Sequence, residues 1–193
     1  MDFQISEKMQ VILEIMNAFV NKELIPLEPV VLTREFVDLL PVLAEKRRVV
    51  RQMVLWAPNH PRELGGMGLD LVEHGLVSEV LGRTPIGHYV FNCQAPDAGN
   101  IEILHKYGTE SQQAQYLKPL VDGKIRSCFS MTEVDMPGSN PTMLETTAVK
   151  DGDDYVINGQ KWYTTSADGA AFAIVMAVTN PDASPYMQAS MII

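Results

Sequence analysis

The apolar residues of this 193-residue chain keep a helical period up to about residue 125 and a strand-like one afterwards, and this change limits the fold more than any other feature. Ile5, Met9, Ile12, Leu13, Met16, Phe19 and Val20 lie on one helical face, and that helix is expected to stop before Pro26. Thr33 reads as the N-cap of a second helix over residues 34–56, with Glu35 in its first turn and Pro41 inside it. "NHPRELGGMGLD" must be loop, because its one proline and three glycines leave little room for a regular element. "LVEHGLVSEVLG" resumes the helical period and closes at Gly82. "NIEILHKYG" gives one more helix, and "TESQQAQYLKPLVDG", capped by Thr109 and closed by Gly123, gives another. Residues 1–125 are therefore expected to form an all-α domain.

Residues 126–193 change chemistry as well as period, because β-branched and aromatic residues now come in short runs between turn dipeptides. "TTAVK", "DYVI" and "QKWYTT", separated by "DGD" and "NG", predict a three-stranded meander. "AFAIVMAVT" is a fourth strand, and "NPDASP" leads to a fifth at "QASMII". The expected class is α+β, an all-α domain followed by an antiparallel β-barrel domain that is cut short. Ending on Met191, Ile192 and Ile193 predicts a chain that continues, since an uncovered apolar edge is a liability; the other reading is a last strand tucked into a closed barrel.

With 46% hydrophobic and 20% charged residues the chain has the composition of a packed domain. A net charge of −9 works against any sequence-independent hold on nucleic acid. The basic cluster Lys46, Arg47, Arg48 and Arg51 reads as a solvated helix face. Cys93 and Cys128 lack partners at ligand spacing, which excludes a disulfide framework or zinc site, and the four histidines read as structural or surface groups. The first twenty residues carry acids and no basic n-region, and no apolar run is long enough to span a bilayer; the expected setting is cytoplasmic.

The stretch "CFSMTEVDMPGSN", residues 128–140, stands at the boundary between the two periods and combines hydroxyls, small residues and a Pro-Gly turn. Such a segment either satisfies its own backbone as an inter-domain connection or lets a flat heteroaromatic ring or a phosphate approach closely. "YVINGQKWYTT", residues 155–165, is on its own no more than a hairpin signal.

Taken together and in order, these segments resemble those of the acyl-CoA dehydrogenases, flavoproteins that introduce an α,β double bond into acyl-CoA thioesters. "LWAPNHPRELGGMGLD" is similar to the family's "LPEEYGGLGL" loop, "SCFSMTEVDMPGSN" to its "xxMTEPxxGSD" segment, and "YVINGQKWYTT" to its "YxINGxKxWIT" hairpin. "VFNCQAPDAGNIEILHKYGT" followed by "IRSCFSMTE" resembles the long-chain branch of family members ten and eleven. The resemblance implies FAD as cofactor, fatty acyl-CoA as substrate, trans-2-enoyl-CoA as product, an electron-transfer flavoprotein as acceptor, and a homo-oligomer. It makes Phe129, Met131 and Thr132 the lining of the isoalloxazine, with Ser139 near the FAD pyrophosphate or the pantetheine of the substrate. Tyr163 takes the place of the family's Trp and Thr165 that of the Thr beside flavin N5, with Thr164 and Ser166 as neighbours. Gln94, in the loop Phe91 to Ala98, falls near the acyl pocket, and Glu133 has a structural hydrogen-bonding role.

The chain departs from the pattern in three ways. Val134 stands where Pro is usual, in a segment one residue longer than the common form; Tyr163 replaces Trp; and the C-terminal helical domain that supplies the family's catalytic Glu is absent. Dehydrogenation needs a carboxylate to take the α-proton and hydrogen bonds to the thioester carbonyl. No catalytic base is nominated among these 193 residues. The same features also suit a catalytically inactive flavin- or acyl-CoA-binding paralogue, or a subunit completed by another chain.

Overall fold

The structure, a computed structural model, describes residues 4–138 and 140–193, which divide into two compact units, Met1–Ala98 and Gly99–Ile193. Ser6 starts the first helix, α1 (Glu7–Phe19), by accepting a hydrogen bond from Met9 N at 3.2 Å. The helix loosens into a π turn (Val20–Leu24) and a 3-10 turn (Ile25–Leu27) where Pro26 cannot continue the ladder. A short helix α2 (Glu28–Val31) precedes α3 (Phe36–Gln52), then come α4 (Leu71–Leu81) and α5 (Gly87–Val90). Met9, Met16 and Phe19 of α1, Leu39, Leu43 and Val50 of α3 and Val77 and Leu81 of α4 share one buried core. Phe19 meets Phe91 edge-on there, 5.7 Å between centroids.

Two expectations for this unit need correction. Thr33 is not an N-cap: its hydroxyl donates back to Pro29 O at 2.7 Å, so it closes α2, and α3 begins at Phe36 behind an extended Glu35. The basic cluster is not a solvated face throughout. Arg47 is only 8% exposed, and its guanidinium lies between the rings of Trp56 and Tyr89 at 4.7 and 4.4 Å from their centroids. It donates to Tyr89 O and, at 2.9 Å, to Asn92 Oδ1.

Helix α6 (Asp97–Tyr107) leads to α7 (Glu110–Gln112), a π turn (Gln113–Leu117) and α8 (Lys118–Val121). Thr109 and Gln112 form a capping box, and Gly123, with φ of 61°, turns the chain out of the last helix, both as the spacing predicts. Among the described residues the first strand is β1 (Ser127–Ser130), so residues up to about 125 are helix and loop. No helix is long and apolar enough to cross a membrane among the described residues.

The strands β2 (Thr147–Asp151), β3 (Asp154–Asn158), β4 (Phe172–Val178) and β5 (Ala189–Ile192) complete the sheet. The sheet is mixed and open rather than an antiparallel barrel. β4 runs parallel to β1 and, at Thr147–Val178, to β2, while the β2–β3 and β4–β5 pairs are antiparallel. The β2–β3 hairpin turns at Gly152-Asp153, as "DGD" predicts. "QKWYTT" does not add the third strand of a meander. Lys161 makes one isolated antiparallel bridge to Glu133, and left-handed φ values at Tyr163 (50°) and Ser166 (68°) bend the chain away from extended geometry.

Candidate functional site

Strand β1 ends at Ser130 and delivers its chain into the loop Met131–Gly138, which β3 and the segment after it meet through one buried ion pair. Lys161 Nζ lies 2.8 Å from Glu133 Oε1, with side chains 10% and 6% exposed, and also donates to Met131 O at 2.8 Å. Glu133 accepts two backbone hydrogen bonds as well, from Glu145 N at 2.7 Å and Thr146 N at 2.8 Å. Trp162 N donates to Thr132 O at 3.1 Å. Burial alone pushes the Glu133 carboxyl upward, but hydrogen bonding from Lys161 and from the polar groups of Thr146 and Glu145 outweighs it and holds the group down at about 2. Three donors on one carboxylate make a knot that fastens the two sequence motifs to each other.

The knot leaves aromatic and hydroxyl groups on its open side. Tyr163 is 79% exposed and Trp162 41%, their ring centroids 4.6 Å apart and tilted by 42°. Thr164 Oγ1 donates to Ser130 Oγ at 3.4 Å, and Thr165 is exposed. Side chains alternate along β1, so half-buried Phe129 projects from the face opposite Cys128 and Ser130, and Phe129 pairs in register with Ile174. Met131 and Thr132 are half-buried where the loop leaves the strand. Gly138 packs on Thr132, whose methyl would be 2.6 Å from a Cβ there.

Of the residues nominated from the sequence, Phe129, Met131, Thr132, Tyr163, Thr164 and Thr165 all lie in the second unit, on β1 or the two segments tied by the knot. Ser139 lies outside the described residues. Gln94 belongs to the first unit, in the turn between α5 and α6, where its Nε2 donates to Asp97 Oδ2 at 2.5 Å. Its Oε1 is buried and meets no donor among the described residues. Lys161 and Trp162 were missed. The signal for Lys161 was the lone base of one motif opposite the two acids, Glu133 and Asp135, of the other, but which pairs meet is a tertiary fact.

The chemistry of this donor set suits a flavin: a pyrimidine edge needs hydrogen-bonding groups, which the Thr132, Thr164 and Thr165 hydroxyls would offer, and a ring needs flat apolar contact, which Tyr163 would offer. Gly159 holds the approach of the second segment. Its φ is 156°, and a Cβ there would come within 2.8 Å of Thr146 Cα and closer still to the Thr146 hydroxyl. Gly159→Ala is expected to cost about 2–5 kcal/mol through overpacking and backbone strain together. Gly152→Ala, where φ is 62° and nothing lies within 4 Å, should cost only about 1 kcal/mol. Urea midpoints of the two variants check this, and equal losses would show that the contact with Thr146 is unimportant.

Residues 6–124 match the model of the acyl-CoA dehydrogenase N-terminal domain and residues 128–193 that of the acyl-CoA dehydrogenase middle domain. The chain is 44% identical over 156 residues to the probable acyl-CoA dehydrogenase FadE2 of Mycobacterium tuberculosis, a match over 79% of this chain and 38% of that protein. It is 43% identical over 156 residues to acyl-CoA dehydrogenase family member 11 of Gallus gallus, over 79% of this chain and 20% of that protein. A solved structure assigned as an acyl-CoA dehydrogenase from Mycobacterium abscessus superposes with a TM-score of 0.90 at 35% identity, covering 98% of this chain and 50% of that one. The chain thus spans half or less of the length of these proteins.

Proposed function

Because this chain belongs to the acyl-CoA dehydrogenase family, we propose that it provides the flavin-binding face for FAD-dependent α,β-dehydrogenation of fatty acyl-CoA thioesters to trans-2-enoyl-CoA. In this reading residues 1–125 are the N-terminal helical domain and 126–193 belong to the middle domain. The observation that supports it most is the Glu133–Lys161 knot, which sets the hydroxyls of Thr132, Thr164 and Thr165 and the exposed ring of Tyr163 on the two segments it joins.

FAD, when bound, would supply the acceptor for the hydride leaving the substrate β-carbon. Thr132 and Thr165 would hold the pyrimidine edge and the region of N5, Phe129 and Met131 would cover the ring and keep water off it, and Tyr163 would stack near it. Gln94 would lie near the acyl pocket, and Ser139 near the pyrophosphate or pantetheine. Glu133 is a poor candidate for the base, since a carboxylate held at about 2 by three donors has little affinity for a substrate proton near neutral pH. In this reading no residue of this chain is nominated as the α-proton acceptor. The remaining parts of the proposal, an electron-transfer flavoprotein as acceptor, a homo-oligomer and a cytoplasmic setting, rest on the family resemblance.

A visible absorption spectrum after incubation with excess FAD and desalting tests the reading. Retained flavin from the wild-type chain, lost in a Tyr163→Ala, Thr165→Ala double variant that stays folded, is the expected result. A folded wild-type chain that retains none would overturn the flavin face as a property of these residues alone and favour a subunit completed by another chain.

A further inference from the structure

Of the eight asparagines in the sequence Asn158 alone precedes a glycine, and that step joins the β2–β3 hairpin to the segment holding Lys161. An asparagine carboxamide is an electrophile that its own chain can attack. The backbone nitrogen of the next residue reaches Cγ most easily when that residue has no Cβ in the way. The fold sets the other seven apart. Asn140 and Asn180 precede proline, which has no N–H to attack with. Asn92 and Asn100 are buried and bonded, to Arg47 and to Ser127 Oγ. Asn17 and Asn21 stand in helical turns with their Oδ1 atoms held by Arg83. Asn59 is half-buried, and its neighbour is His60. Asn158 is exposed, and no hydrogen bond holds its carboxamide among the described residues.

The backbone at this step is also among the easiest of the sheet to open. β3 is an edge strand, every residue of it is exposed, and Asn158 is its last, paired with Thr147. Thr147 Oγ1 approaches Asn158 O only to 3.5 Å, at the limit of a hydrogen bond. Pairs at the end of an edge strand open locally, without the rest of the sheet. Opening this one frees the Asn158 backbone to turn Gly159 N toward Cγ.

We propose that Asn158-Gly159 is a self-modification site that loosens the Glu133–Lys161 knot as the protein ages. Gly159 N gives its proton to solvent base and bonds to Asn158 Cγ; the side-chain nitrogen leaves as ammonia, and a succinimide ring remains. Water then opens the ring. Attack at Cγ leaves aspartate, and attack at the backbone carbonyl leaves isoaspartate, in which the chain runs through the former side chain. Nothing is oxidised or reduced, and both products carry a new negative charge. Isoaspartate also adds one backbone atom immediately before Gly159, which passes Thr146 so closely that a Cβ would lie 2.8 Å from Thr146 Cα. Lys161 follows shortly after, held 2.8 Å from Glu133. The extra atom shifts the register that brings these two contacts together.

The test ages the full chain in warm, mildly alkaline buffer, folded and in parallel unfolded in urea, then maps its peptides by mass and labels isoaspartate with isoaspartyl methyltransferase. In the folded chain position 158 should deamidate about tenfold faster than any other asparagine. Asn158→Gln, whose longer side chain can close only a less favoured six-membered ring, should stay unmodified there. The isoaspartyl fraction, separated by anion exchange, should unfold at lower urea than Asn158→Asp, which carries the charge without the extra backbone atom. A folded chain that stays intact at 158 while the unfolded one deamidates would overturn the site, because the fold would then protect it. An isoaspartyl fraction as stable as Asn158→Asp would overturn its effect on the knot. Neither readout needs flavin, so failure here leaves the proposed dehydrogenation untouched.

Discussion

Replacing Glu133 with alanine is expected to remove about 3–5 kcal/mol from the stability of the second unit, because it leaves the Lys161 ammonium buried without its counter-charge. Lys161→Met should cost a similar amount from the other side. The double variant Glu133→Leu, Lys161→Met should lose less than the sum, since no charge is then stranded, but it cannot be neutral: Glu145 N and Thr146 N lose the carboxylate they donate to. Urea unfolding followed by Trp162 fluorescence measures all three in a chain whose Trp56 is replaced by phenylalanine. The pH dependence separates charge from packing. The Glu133 carboxyl lies at about 2 in the folded chain against an ordinary 4.5, so its contribution is complete above about 4.5 and is lost as pH falls toward 2. Glu133→Gln should flatten the stability curve across that window. A wild-type curve already flat there would show that the ion pair is not formed.

The same pair marks the limit of what the sequence discloses. The helices were legible because their cues are local: one apolar face on α1, the Thr109 box, the glycine ends at Gly82 and Gly123. The β2–β3 hairpin was legible for the same reason. Thr33 misled because a hydroxyl that caps the next helix and one that bonds back to the previous turn look alike in sequence; the bond to Pro29 O decided it. "QKWYTT" has strand composition, yet Lys161 is drawn to a carboxylate 28 residues earlier, and the left-handed Tyr163 follows. An antiparallel barrel was expected from closely spaced strands, whereas β4 reaches across to pair in parallel with both β1 and β2, a choice of partners no local pattern encodes. The candidate site was legible as two motifs and a family resemblance, but not the knot that joins them.

Arg47 was the least legible residue, and its loss is the second large effect expected. Arg47→Ala should destabilise the first unit by about 3–5 kcal/mol: it empties the space between Trp56 and Tyr89 and removes the donors that Tyr89 O and Asn92 Oδ1 now have. Burial lowers the guanidinium's proton affinity, with the charges of Tyr89 and Asp97 acting the other way and Arg51 adding to the lowering, so this is a costly cation retained for its geometry. Lysine keeps the charge and most of the length but cannot lie flat between two rings while donating to two acceptors. Arg47→Lys should therefore recover less than half of the loss. The acceptors lead into the turn that carries Gln94 and Asp97, so hydrogen exchange over residues 89–98 should accelerate in both variants, whereas Arg48→Ala, whose partner is the exposed Glu45, should leave it unchanged. If Arg47→Lys proves as stable as the wild type and exchange over 89–98 does not change, charge alone suffices there, and the two-ring stack is a consequence of the fold and not one of its supports.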